Sequence, residues 1–189
     1  MLIDSAEKLA QTLFDLKLID DRQLKELWAG LGSRSVSLEQ FSESLLGREY
    51  LTSYQLNRVL RGEKKGFFFG DYKILYLVGR GSFARVYRAV HHVTGEIVAL
   101  KIMRRSCAKD AQKVDDFQRE GTMGMTLRHP NIVSIFEIAG HENRHFLVME
   151  FIEGRNLREF IKIRGQCEPD EAIRLMKDVA AALDYAQRK

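Results

Sequence analysis

"VGRGSFARVYRAV", residues 78–90, carries Gly79 and Gly81 in a G-x-G-x-x-A pattern, with Ala84 where a third glycine often stands. Two kinds of phosphate-gripping loop share that pattern, and the residues after the loop separate them. A dinucleotide-binding loop opens a helix, whose N-terminus meets the pyrophosphate. Here the loop runs into "RVYRAVHHV" (85–93), rich in β-branched and aromatic residues, then the turn "TGE" (94–96) and a further run, "IVALKIM" (97–103). Upstream, "YKILYLV" (72–78) has the same character. Strand, glycine loop, strand, turn, strand is a hairpin that folds over a ligand. The dinucleotide reading fails on this point.

The rest of the chain sets the limits within which that hairpin sits. With 189 residues, the chain has room for one ordinary domain, or for a small domain beside part of a larger one. Hydrophobic residues make up 45% and charged residues 30%, and no run approaches the roughly 18 apolar residues of a membrane span. The N-terminus has no basic-then-apolar signal, so a cytoplasmic location is expected. The net charge of +4 comes from Lys and Arg interspersed with Asp and Glu, which describes a solvated surface rather than a nucleic-acid stripe. Cys107 and Cys167 stand alone, without the spacing of a metal site, and read as reduced thiols.

The chain changes character near residue 62. Before it the pattern is helical and duplicated. A shift of 32 residues lays "SAEKLAQTLFDLKLIDDRQLKEL" (5–27) on "SLEQFSESLLGREYLTSYQLNRV" (37–59) without a gap. Leu9 meets Phe41, Leu13 meets Leu45, Ile19 meets Leu51, and Leu27 meets Val59. Each copy reads as helix, turn, helix, and the second helix of each opens on a capping box, Asp20-x-x-Gln23 or Thr52-x-x-Gln55. Two hairpins, each too small for a core of its own, are expected to bury their apolar faces together. Trp28 is read as core. Residues 1–62 therefore form a four-helix module, 63–70 a basic, glycine-flanked linker, and 71–189 a second domain.

In that second domain several further motifs succeed the glycine hairpin in order. They are "VALK" (98–101), "FQREGTM" (117–123), "LRHPNIVSIFEI" (127–138), "HFLVMEFIEGRNL" (145–157) and the amphipathic "EPDEAIRLMKDVAAALDYAQRK" (168–189). Together with the loop they resemble the N-terminal lobe of a protein kinase, and the whole layout resembles planctomycete-type bacterial serine/threonine kinases, in which a short helical domain precedes the kinase domain. The resemblance covers roughly residues 70–189. It implies an α+β fold: a helical-repeat domain, then a five-stranded antiparallel sheet with helix C, then helices D and E.

The resemblance also implies roles. Lys101 would reach the α- and β-phosphates of ATP, and Glu120, 19 residues on, would hold that lysine in an ion pair. Val78, Gly79, Arg80, Gly81, Ser82, Phe83, Ala84, Arg85 and Val86 would cover the nucleotide, with Ala99 beside it. Met149 would be the gatekeeper, and backbone groups of Glu150 and Ile152 would meet the adenine edge. Mg²⁺ would accompany ATP, but its ligands, the catalytic aspartate and the activation segment belong to a loop expected after Lys189. No metal ligand is therefore assigned, and residues 1–189 by themselves are expected not to transfer phosphate. The reaction implied for the parent protein is transfer from ATP to a protein hydroxyl. A scaffold of pseudokinase type, acting through the helices, stays open as the alternative.

Two features depart from the family pattern or raise a question. Gly121 and Gly124 each cost a helix about 1 kcal/mol relative to alanine. Gly124 also stands where a large apolar side chain is usual, so Met123 or Met125 would have to fill in. Otherwise helix C is expected to be loosely held, with the Lys101–Glu120 pair needing help to form. The stripe Ile173, Met176, Val179, Ala180 and Leu183 is expected to leave helix 168–188 self-associated or disordered unless covered, and residues 1–62 are the expected docking surface for a regulatory protein.

Overall fold

The repeat becomes two helical hairpins because each helix is started by its own side chain. In the computed structural model, which describes residues 3–32, 36–141 and 144–189, α1 (Ala6–Asp15) and α2 (Asp21–Leu31) make the first hairpin. The second is α3 (Leu38–Gly47) with α4 (Ser53–Leu60). Ser5, Asp20, Ser37 and Thr52 each accept the backbone N–H three residues on, and the last three complete reciprocal capping boxes. Repeat-related positions are buried alike. Leu9, Leu13, Leu27, Phe41, Leu45 and Val59 are fully buried in one core, onto which Trp28 packs with its ring 4.7 Å from that of Phe41.

The equivalence extends to the backbone. Lys17 and Glu49, 32 residues apart, are both left-handed, with φ of 56° and 57°. Each allows the next residue to turn back: the Leu18 N–H donates to the Leu13 carbonyl at 2.9 Å and the Tyr50 N–H to the Leu45 carbonyl at 3.1 Å. This is the chain reversal a glycine usually supplies after a helix.

Seven helices and six strands are present among the described residues. The strands are β1 (Phe68–Phe69), β2 (Tyr72–Arg80), β3 (Ala84–His91), β4 (Ile97–Met103), β5 (Ile135–His141) and β6 (Arg144–Glu150). Their order in the sheet is β1-β2-β3-β4-β6-β5. The remaining helices are α5 (Ala111–Thr126), α6 (Leu157–Arg164) and α7 (Pro169–Gln187). The chain divides into two compact units, Met1–Arg80 with Tyr87–Glu96, and Gly81–Val86 with Ile97–Lys189, the division falling within β3.

In the first unit the helical hairpins are tied to β2 by polar side chains. The Thr52 hydroxyl donates to the Leu75 carbonyl at 2.5 Å while its oxygen also caps α4. Gln55, only 1% exposed, donates to the Ile74 carbonyl at 2.6 Å and accepts the Thr52 N–H at 2.8 Å. The Lys73 ammonium donates to the Leu18 carbonyl at 2.6 Å. Burial pushes the Lys73 ammonium below its ordinary pKa, with nearby Asp20 opposing the shift.

The second unit is built on antiparallel β4/β6 and β6/β5 pairs, with Ala99 opposite Met149 and Lys101 opposite Leu147. A register shift between Ile135 and Glu137 leaves Phe136 out of the β5/β6 ladder, and its side chain is exposed. α5 corrects the expectation of a loosely held helix C. It runs unbroken through Gly121 and Gly124, and strand side chains crowd both positions. A Cβ on Gly121 would lie 2.6 Å from Leu147 Cδ2 and 2.8 Å from Ile138 Cγ1, and a Cβ on Gly124 would collide with Ile135 Cδ1. Met123 and Met125 face solvent instead of filling a gap. The glycines are the condition for close packing of helix on sheet. α7 begins on Pro169 and is held near its C-terminal half: Tyr185 Oη accepts the Arg128 N–H at 3.2 Å, and the Asn131 amide donates to the Asp178 carbonyl at 3.1 Å. Its stripe of Ile173, Met176, Val179, Ala180 and Leu183 is exposed.

Candidate functional site

The loop at the start of β3 closes on itself. The Gly81 N–H donates to the Ala84 carbonyl at 2.8 Å, and a Cβ on Gly81 would come within 3.2 Å of that same oxygen. Ser82 and Phe83 form the exposed tip. The tip is tethered from the end of β4, where the Arg104 N–H donates to the Phe83 carbonyl at 2.8 Å. The Arg104 guanidinium also reaches the Gly81 and Ser82 carbonyls at 3.4 Å each.

Beneath this loop lies a cavity of about 440 Å³. Gly81, Ser82, Phe83, Ala84 and Val86 line one side of it, and Lys101 of β4 reaches it from another. Lys101 Nζ stands 2.5 Å from Glu120 Oε1 of α5 and 5.7 Å from the centre of the Phe117 ring. The ion pair that the sequence expects to need help is thus formed. The side chains are 26% and 53% exposed, so the pair is worth at most about 1 kcal/mol of stability. Its effect is one of position: the ammonium is held at the cavity wall.

Besides Met103 of β4, three further residues, all on α5, line the cavity that the sequence reading did not single out: Lys113, Asp116 and Phe117. They precede Glu120 by seven, four and three residues, the spacing of one helical face, and that periodicity was the available signal. Asp110 caps α5 by accepting the Lys113 N–H, and the Lys113 ammonium lies 2.8 Å from its carboxylate. The hydrogen bond from Lys113 holds the Asp110 carboxyl below its ordinary range and raises Lys113 in turn.

The remaining expected residues lie elsewhere. Val78, Gly79 and Arg80 end β2 in the first unit, with Val78 exposed. Arg85 alternates away from its neighbours and lines a different concavity. Ala99 is buried opposite half-buried Met149 in the β4/β6 ladder, and neither lines the Lys101 cavity. Glu150 and Ile152 are exposed at and beyond the end of β6. The Glu150 N–H is donated to the Ser134 carbonyl at 2.9 Å.

A glycine loop on one side, apolar Ala84 and Val86, and the Lys101 and Lys113 ammonium groups give the cavity donors for a phosphorylated ligand, with the Asp116 and Glu120 carboxylates sharing its lining. No group of three or more His, Cys, Asp or Glu side chains able to hold a metal ion occurs among the described residues.

The sequence profile of the Protein kinase domain matches residues 72–189. The chain is 36% identical over 119 residues to the serine/threonine-protein kinase PrkC of Bacillus subtilis (strain 168), a match covering 63% of this chain and 18% of that protein. It is 35% identical over 123 residues to the probable serine/threonine-protein kinase PknB of Lactococcus lactis subsp. lactis (strain IL1403), covering 64% and 20%. The chain therefore spans about a fifth of the length of these curated relatives. Among solved structures, the PknI kinase domain of M. tuberculosis superposes with a TM-score of 0.56 at 24% identity, over 64% of this chain and 49% of that one, a likeness of fold.

Proposed function

Because the chain belongs to the protein kinase domain family, we propose that residues 71–189 are the ATP-binding part of a serine/threonine-specific kinase of the planctomycete type. In this reading residues 1–62 are its helical domain, and 63–70 the connection. The observation that carries the proposal is the Lys101–Glu120 pair set at the wall of the cavity beneath Gly81–Val86. Lys101 neutralises the α- and β-phosphates, and Glu120 keeps the ammonium from swinging into solvent. Gly81 brings backbone to the phosphates at a distance no side chain allows. Met149 limits the depth available to the adenine, and the Glu150 carbonyl and Ile152 backbone take its polar edge. Mg²⁺ would supply further neutralisation of the phosphates. Its ligands are not assigned to any described residue.

The parent reaction on this reading is phosphoryl transfer from ATP to a protein hydroxyl, carried out in the cytoplasm. No described helix is long and apolar enough to cross a membrane. Residues 1–189 contain no match to the catalytic-loop motif, which supports binding without transfer by these residues alone. The exposed stripe of α7 supports self-association of this polypeptide through that helix, and residues 1–62 are the proposed surface for a regulatory protein. Calorimetric titration of residues 1–189 with Mg·ATP tests the proposal. Saturable binding weakened tenfold or more by Lys101→Ala is expected. Absence of binding would favour a scaffold acting through the helices.

A further inference from the structure

Strand β3 faces two ways. Ala84 and Val86 line the Lys101 cavity, while Arg85 between them lines a second concavity of about 390 Å³ with Arg104, Arg105, Ser106 and Arg144. No residue lines both. The second concavity gathers four guanidinium groups and one hydroxyl, and no carboxylate is among its lining residues.

Like charges brought together cost free energy unless something of opposite charge offsets them. The protein supplies little. Arg85, Arg104 and Arg105 make no ion pair among the described residues. Arg85 Nε is buried without a hydrogen-bond partner, an arrangement that protein interiors rarely leave standing. Arg104 spends its guanidinium only on long contacts of 3.4 Å to the loop carbonyls. These donors are already gathered, and planar guanidinium forks match tetrahedral oxyanions in a bidentate manner.

We propose that the Arg85–Arg104–Arg105–Arg144 pocket is a binding site for a phosphate dianion, free or as a monoester, separate from the Lys101 cavity. Such a dianion, with at least three unesterified oxygens, suits four cationic forks and the Ser106 hydroxyl better than a single carboxylate does. Its source is either a phosphorylated side chain or free phosphate in solution, and the two are separated by experiment. The inference does not depend on the Lys101 cavity holding a nucleotide.

The test titrates residues 1–189, by calorimetry or NMR, with inorganic phosphate and with a phosphoserine peptide and its unphosphorylated form. Saturable phosphate binding is expected, weakened at least tenfold by Arg85→Gln or Arg105→Gln and unchanged by Lys101→Ala or the distant Arg22→Gln. Arg105 is exposed, so Arg105→Gln carries the test even if Arg85→Gln misfolds. Tighter binding of the phosphopeptide than of phosphate identifies a side chain as the source, and equal binding identifies free phosphate. No saturable binding, binding indifferent to both arginine variants, or binding abolished by Lys101→Ala would overturn the proposal.

Discussion

Gly121→Ala separates two accounts of α5. If the glycine is only a weak point in a helix, alanine should stabilise the protein by about 1 kcal/mol. The packing says otherwise. The new Cβ would sit 2.6 Å from Leu147 Cδ2 and 2.8 and 2.9 Å from Ile138 Cγ1 and Cδ1. Leu147 is fully buried in the core that α5 packs on. Overpacking of this kind costs about 1–3 kcal/mol. Set against the propensity gain, the net effect is a loss of about 1 kcal/mol, with an upper bound near 2. For a chain of this size, 1 kcal/mol lowers Tm by about 2–4 °C. Gly124→Ala is the internal comparison, because its Cβ meets one side chain, Ile135, where that of Gly121 meets two. It should fall closer to neutral. Urea unfolding of the three proteins reads both effects. A Gly121→Ala variant more stable than the parent by about 1 kcal/mol would refute the close-packing account and restore the loosely held helix.

Other perturbations test other joints. Gln55→Leu strands the Ile74 carbonyl and the Thr52 N–H without their partner, and should cost about 1–3 kcal/mol in urea unfolding. Lys17→Gly and Glu49→Gly relieve left-handed strain and should each stabilise by up to about 1 kcal/mol, equally, since the repeat places them alike. Asp110 has a folded pKa below 3.8, so the stability it lends to α5 is full above that value and is lost as the pH falls through the lower folded one. Acid unfolding followed by circular dichroism should therefore lose a contribution below pH 3.8 that Asp110→Asn lacks.

Much of this architecture was legible in residue order. The β-branched run after the glycine loop settled hairpin over helix, and the observed strands Tyr72–Arg80, Ala84–His91 and Ile97–Met103 match the expected runs closely. The duplicated helices were legible as a repeat because their caps and apolar positions recur together. The features that escaped the sequence depend on distant partners. Gly121 and Gly124 look like defects from local propensity, and only the strand side chains against them reveal the close approach. Capping by Thr52 and Gln55 could be read from spacing, but their second bonds to Leu75 and Ile74 could not, because those partners lie 23 and 19 residues away. Lys17 and Glu49 hide their left-handed backbone because neither is a glycine. The arginine pocket draws on β3, the end of β4 and the start of β6, so no local pattern announces it.

The central claim is that Lys101, held by Glu120, meets the phosphates of a bound nucleotide. An acyl-phosphate derivative of ATP transfers its acyl group to the lysine nearest those phosphates, and peptide mass spectrometry then locates the label. Two lysines line the cavity, Lys101 and Lys113, so the measurement has a built-in alternative. Labelling of Lys101, suppressed by excess ATP and reduced by Glu120→Gln, is the predicted result. Label on Lys113 alone, or label on Lys101 that ATP fails to suppress, would contradict it.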